Sequence, residues 1–257
     1  MKMPAMPYQL RKAVQIFLWS VLAMLLASCQ ASAPYQPQPR KDLGRYMSQR
    51  ISLLMTLSES QAAKLIQTRG SHWGGNTTLS TATPISHKGH FLTNAHSLQD
   101  LKPGYSCVAL YSSGANKKLG KVQVLWKDDS ADLALVRANF ATPYHYQWTP
   151  RDRWLPTDLP VVHGGMTTGP KGQVGQLHHA VMGFGHRRPV LHSLRLKPGD
   201  SGGPLLTLSG ELIGINRAVG YTGVMTTTFF TESQSVRPDP AKIQRLIEKS
   251  QATAIKP

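Results

Sequence analysis

Hydrophobic positions change their spacing several times along the chain. Residues 13–27, AVQIFLWSVLAMLLA, are almost wholly apolar and follow Lys2, Arg11 and Lys12. A run this short falls below the roughly 20 residues of a comfortable membrane-spanning helix, and with its positive flank it predicts an export signal. Between residues 43 and 68 the pattern reads as helical: Met47, Ile51, Leu54 and Met55 share one helical face, and Ser58 with Gln61 has the form of a capping box opening a second short helix that Gly70 can end. From about residue 76 the spacing shortens to alternation and brief apolar runs. TLSTATPI, HFLTNAH, CVALY, KVQVLW, LALVR, LPVVHG, HHAVMGF, PLLTL and ELIGINRAV are separated by turns such as His87-Lys88-Gly89-His90 and Ser209-Gly210. Such recurrence predicts β-strands of a sandwich or barrel. Near the end Asp239 can cap, and Pro240 open, a helix whose Ile243, Leu246 and Ile247 form one apolar stripe. The expected fold is all-β, two antiparallel barrels with an N-terminal helical extension over 42–70 and a C-terminal helix.

Composition sharpens this picture. The 257 residues are 40% hydrophobic, enough for a buried core, which excludes a disordered or fibrous protein. A formal net charge of +16 attracts anions such as nucleic acid, anionic lipid or acidic polysaccharide. The basic residues are scattered (Lys117, Lys118, Lys121, Lys127, Arg151, Arg153), without interleaved aromatics, so a solvated basic face is expected and not a nucleic-acid site. The apolar leader ends in Leu26-Ala27-Ser28-Cys29, which resembles the lipobox of bacterial lipoproteins. That resemblance implies a signal peptide over 1–28, acylation of Cys29, and a membrane anchor that, with Gln30 following, points to the outer membrane facing the periplasm. Ala31-Ser32-Ala33 offers an ordinary cleavage site instead, which would release a soluble periplasmic or secreted protein. Residues 29–41, with Pro34, Pro37 and Pro39, read as an extended tether. With Cys29 lipidated, Cys107 has no partner for a disulfide and reads as a small buried residue.

The chemistry concentrates in Pro198-Gly199-Asp200-Ser201-Gly202-Gly203-Pro204. Glycines on both sides of Ser201 clear space for an approaching substrate backbone and allow torsions that aim N–H groups inward, the nest that a developing oxyanion requires. A serine hydroxyl is inert at neutral pH without a base, and the base needs an orienting group. His96 follows the apolar run Phe91-Leu92-Thr93-Asn94-Ala95, and Asp132 directly precedes the buried run Leu133-Ala134-Leu135-Val136. Asp128 and Asp129 read as solvated turn residues. No His, Cys or carboxylate spacing matches a metal site, so neither metal nor cofactor is expected.

The segments LTNAH, SADLALV and GDSGGPLL look like the three signature regions of trypsin-like (chymotrypsin-fold) serine peptidases, and PGDSGGPLLTLSGELIGIN most resembles the bacterial high-temperature-requirement (HtrA, Deg-type) proteases. The resemblance implies two six-stranded barrels in a peptidase domain over 71–257. It makes His96 the general base, Asp132 its orienter, Ser201 the nucleophile, and the N–H groups of Gly199 and Ser201 the oxyanion hole. It implies a serine endopeptidase acting on envelope polypeptides, with a homo-oligomer possible. Two departures stand out. Asp200 replaces the Asn usual in Deg-type proteases; trypsins pair this Asp with an N-terminus freed by cleavage, but no such activation site is present, so Asp200 needs another partner. The PDZ domains of Deg-type proteases are not expected in the short stretch after residue 235. Specificity in this fold depends here on Arg195, Leu196, Lys197, Asn216, Arg217 and Ala218. A basic pocket would favour acidic substrate side chains, as in bacterial glutamyl endopeptidases, whereas solvent-facing arginines would not. His163-Gly164-Gly165 precedes a loop expected along the cleft. The competing reading is a catalytically idle trypsin-fold protein that holds anionic envelope polymers or nucleic acid on its basic surface.

Overall fold

The computed structural model describes Trp19 and residues 35–71, 77–113, 116–150, 154–179, 189–224 and 227–253, with side chains undescribed at 170–171, 218–231 and 252–253. Apart from Trp19, the stretch expected to be a signal peptide, Cys29, the first part of the expected tether and the HHAVMGF run beyond His179 lie outside these residues.

Short alternating runs pair into two antiparallel sheets. Strands β1 (Ile51–Ser58), β2 (Thr78–Thr81), β3 (Thr83–Pro84), β4 (His90–Thr93), β5 (Tyr105–Ser113), β6 (Asn116–Asp128) and β7 (Leu133–Ala138) form the first, in the order β2-β1-β5-β6-β7-β4-β3. Its two end strands, β2 and β3, are separated in the chain by Ala82 alone, and Ala82 N donates to Ser52 O at 2.9 Å. They are two halves of one kinked strand, so the sheet closes on itself as a six-stranded barrel with no free edge. The second sheet takes β8 (Pro160–Gly165), β9 (Gly169–Gln176), β10 (Pro189–His192), β11 (Pro204–Thr207), β12 (Leu212–Val224) and β13 (Thr227–Val236), in the order β10-β13-β12-β11-β8-β9. Its ends meet where Leu177 bridges His192, with Ser193 N to Gln176 O at 3.0 Å and His178 N to Leu191 O at 2.8 Å.

The N-terminal region departs from the sequence reading. Residues 51–58 are not helical: they form β1, paired with β2 on one side and β5 on the other, between helices α1 (Leu43–Ser48) and α2 (Glu59–Gln67). The apolar positions Ile51, Leu54 and Met55 fit a helical face, but ladders on both sides pair the backbone of the strand, and tertiary pairing outweighs the local period. Residues 51–58 are therefore a strand of the first barrel and not part of a helical extension, while Met47 of α1 reaches Gly164 and Gly172 of the second barrel. Two residues of the stretch expected to be a tether are instead fixed to the domain: Tyr35 N bonds Trp154 O (3.1 Å), Arg40 N bonds Leu208 O (2.9 Å), and Tyr35 packs on the core of the second barrel. Other local signals form as expected. Ser58 and Gln61 make the capping box of α2, Gly70 N closes on Leu65 O with φ +86°, and Asp239 Oδ1 accepts Ala241 N (2.9 Å) at the start of α3 (Pro240–Thr253). Among the described residues no helix is long and apolar enough to cross a membrane.

One apolar cluster fills each barrel, and a third joins them: Leu92, Leu133 and Leu135 of the first barrel meet Val162, Leu206 and Ile215 of the second, with Ile243 and Ile247 of α3 closing over them. Cys107 lies in the first barrel's core, where burial pushes its thiol up to about 12 and leaves it inert at neutral pH.

Two enclosed histidines add a condition on pH. His90 sits between Ser86 Oγ (2.7 Å from Nδ1) and Ser250 Oγ (3.4 Å from Nε2), joining β4 to α3, while His192 Nε2 meets Ser235 Oγ at 3.0 Å. Burial, with nearby positive charge, lowers His90 to about 4 and His192 to about 3. The unfolded chain therefore binds more protons than the folded one once pH drops below the ordinary value of 6.5. Stability should be full above pH 6.5 and fall steadily as pH drops toward 4. Urea midpoints measured from pH 7.5 to 4 test this, and His90→Gln should flatten the slope; a midpoint that stays level down to pH 4 counts against it.

Candidate active site

Strand β4 runs into Asn94 and Ala95, and the chain then tightens into a 3-10 turn, His96–Leu98, which presents the His96 ring with 45% of its side chain exposed. Across from it, Asp128 closes the β6–β7 turn by accepting Ser130 Oγ (2.6 Å) and Ala131 N (3.0 Å). Asp132 ends that turn in the left-handed region, φ +52°, a conformation that Asp tolerates better than bulkier residues, and Asn94 Nδ2 holds its carbonyl at 3.0 Å. This backbone geometry brings the carboxylate back over His96. Oδ1 accepts the backbone N–H of His96 at 3.0 Å, and Nδ1 of the ring lies 3.0 Å from Oδ1 and 2.9 Å from Oδ2. Burial pulls the Asp132 carboxyl upward, but the hydrogen bonds from the His96 ring and backbone, aided by the charges of His96 and Arg217, bring it below the ordinary carboxylate value. An ionised Asp132 accepts only, so Nδ1 carries the proton and Nε2 presents a lone pair outward.

The serine loop is shaped by glycines at the positions that need them. Gly202 has φ +83°, and a Cβ there would lie 2.0 Å from Thr81 O; one on Gly203 would lie 2.3 Å from Gly164 O. The second barrel fixes the loop through Gly202 N to Asn216 O (3.0 Å) and Asn216 N to Gly203 O (2.8 Å). The first barrel fixes its other side: Thr81 N bonds Ser201 O (2.9 Å), Thr81 Oγ1 bonds Gly199 O (2.6 Å), and Thr83 Oγ1 bonds Gly202 O (2.8 Å). Among the described residues the N–H groups of Gly199 and Ser201 meet no backbone acceptor. Ser201 Oγ donates to Arg217 O at 3.5 Å, the outer limit of a hydrogen bond.

Asp200 finds its partner in the turn after β8. Its Oδ1 accepts Thr167 N and Thr168 N, both at 3.0 Å, and its Oδ2 accepts Thr168 Oγ1 (2.6 Å) and Lys197 N (3.1 Å). The turn is held in its own right by Met166 N to Thr81 Oγ1 (2.8 Å) and Thr167 Oγ1 to Pro198 O (2.5 Å). A fully buried carboxylate with four donors is satisfied without a freed N-terminus.

The model of the trypsin-like peptidase domain matches residues 80–215, more than half of the chain, from β2 through the serine loop into β12. The chain belongs to the trypsin-like peptidase family. Among solved structures it is similar to Deg5, at 16% identity and a TM-score of 0.55, over 79% of this chain and 90% of that one. It is also similar to the serine endoprotease from Yersinia pestis, at 19% identity and a TM-score of 0.53, over 84% of this chain and 67% of that one. At such identities these likenesses establish the two-barrel fold alone. No curated protein matches the chain.

Within this peptidase fold the residues expected around the substrate pocket go to different places. Arg195 and Lys197 are exposed, and Leu196 is buried. Asn216 is fully enclosed, its amide shared among Gly164 O (3.3 Å), His163 Nδ1 (3.4 Å) and Ser235 Oγ (3.1 Å). Arg217 turns its Nε onto Asp132 Oδ2 at 3.3 Å. The Ala218 side chain lies outside the described residues. His163 is buried, and a Cβ on Gly165 would lie 2.3 Å from Asp200 Oδ1, so this part of β8 packs directly against the serine loop. Sequence reasoning missed Thr81, Thr167 and Thr168. The one available signal was the hydroxyl pair in Met166-Thr167-Thr168-Gly169, a turn between two strand-like runs.

Removing one donor from a buried carboxylate costs about 1.5–3 kcal/mol. Thr168→Val should lower the urea midpoint by a corresponding amount while Thr168→Ser retains most of it. Equal midpoints for Val and wild type would show that the clamp carries no stability.

Proposed function

We propose that the chain is a serine endopeptidase that cuts polypeptides through an acyl-enzyme, with His96, Asp132 and Ser201 as its triad. The observation that carries this reading is the Asp132 carboxylate bound to both the backbone N–H and the ring Nδ1 of His96, which leaves Nε2 to act as the base. Ser201 Oγ leaves the Arg217 carbonyl and bonds to the scissile carbonyl carbon while Nε2 takes its proton. The carbonyl electrons move onto oxygen, where the N–H groups of Gly199 and Ser201 donate, each worth about 3 kcal/mol in the transition state. The C–N bond then breaks, the amine takes the proton from His96, and water repeats the sequence on the ester. Asp132 holds the tautomer throughout and stabilises the imidazolium. The satisfied Asp200 supports a serine loop assembled without prior cleavage.

The same reading places the enzyme in the bacterial envelope, anchored through an acylated Cys29 and acting on envelope polypeptides. Palmitate should label the full-length protein in cells, and Cys29→Ala should abolish that label; unchanged labelling removes the anchor.

A fluorophosphonate probe tests the activity directly. The full-length chain should label at neutral pH and Ser201→Ala should not, a change the triad makes close to absolute since losing the nucleophile costs roughly 10⁶-fold in kcat. Equal labelling of both would remove Ser201 as the nucleophile. A folded wild type that does not label, and that binds DNA or acidic polysaccharide with steep salt dependence, would favour the idle binding protein.

A further inference from the structure

Arg217 occupies an unusual place in the ladder. Strand β12 pairs with β13 through Asn216 opposite Ser235 and Ala218 opposite Gln234, so Arg217 is the extra residue of a β-bulge. A bulge bends its strand and re-aims one side chain off the ladder. Here the preceding residue cannot move: Asn216 is bonded to the serine loop through its backbone N and O, and to Gly164 and Ser235 through its amide. From that fixed point the guanidinium reaches across the barrel boundary to the Asp132 oxygen that also faces the His96 ring, while the Arg217 carbonyl accepts the Ser201 hydroxyl. One residue therefore touches both the orienting acid and the nucleophile.

We propose that Arg217 is a positioning residue of the site, which holds Asp132 against His96 and offsets part of the carboxylate's negative charge. This rests on the peptidase reading. A carboxylate at Nδ1 favours the imidazolium, and a cation on the same carboxylate subtracts from that effect. Other charges around the pair are otherwise engaged. On the β6–β7 turn, Asp128 bonds Ser130 and Ala131, and Asp129 pairs with Lys127 at 2.9 Å. Near the 3-10 turn Asp100 accepts Thr78 Oγ1 at 2.5 Å, and in the serine loop Asp200 is bound by the 166–168 turn. Arg suits the task because its planar fork keeps both charge and direction when half of it is desolvated.

The test compares full-length wild type with Arg217→Gln and Arg217→Lys, using two readouts. Nitrogen-15 NMR of the His96 ring, identified by its loss in His96→Gln, gives the pH at which the ring takes up its second proton; the rate of fluorophosphonate labelling gives the acid limb of reactivity. For a unit charge a few ångströms away, the Gln variant should raise both by about one pH unit, with Lys moving them much less. A His96 ring that titrates at the same pH in wild type and Arg217→Gln overturns the proposal, and so does a Gln variant whose labelling drops equally at every pH, the mark of a purely structural role. Should wild type fail to label at any pH while the ring still shifts, the peptidase reading falls and the coupling of Arg217 to His96 stands.

Discussion

Burying the Asp200 carboxylate costs several kcal/mol unless its oxygens find donors, and this demand organises the loop on either side of it. Two backbone amides and a hydroxyl from the 166–168 turn, with the amide of Lys197, converge on the carboxylate, so β8, its turn and residues 197–200 have one compatible arrangement. Gly199 and Ser201 flank that carboxylate in the chain. Their torsions, and with them the direction of two N–H groups, follow from a charge that must be satisfied. The glycines are the other half of the same constraint, since any side chain at 165, 202 or 203 would enter space already held by Asp200, Thr81 or Gly164.

The site draws its parts from both barrels, and the two are bolted together at the kink between β2 and β3. Thr81 and Thr83 each bond the serine loop, and Thr81 also holds the 166–168 turn, so the strand that closes the first barrel is the strand that braces the second. The shared apolar cluster of Leu92, Leu135, Leu206 and Ile215 lies alongside, with α3 closing over it. Polar precision at the site and apolar burial beneath it thus reinforce one another.

Features legible in the sequence were those whose cause is local. The capping box at Ser58, the Asp239 cap, the alternation of β6 and the glycines around Ser201 each depend on neighbours a few residues away. Strand β1 was misread because its apolar spacing satisfies a helix as well as a strand, and only its partners decide between them. Strand β13 gave no signal: it buries Ser233 and Ser235, polar residues whose partners lie on other strands or in the loop after β10. The clamp on Asp200 joins residues more than thirty positions apart, and the reach of Arg217 to Asp132 depends on a bulge that no periodicity records.

The seam at Thr81–Thr83 also makes the site depend on both barrels at once. His96 and Asp132 are made with the first barrel, whereas Ser201 gains its surroundings only when β11, β12 and β13 have folded and docked against that seam. Without that docking the serine is an ordinary alcohol in a glycine-rich loop, with neither base nor oriented amides. The reactivity proposed for Ser201 is consequently a property of the two barrels joined, and neither barrel alone carries it.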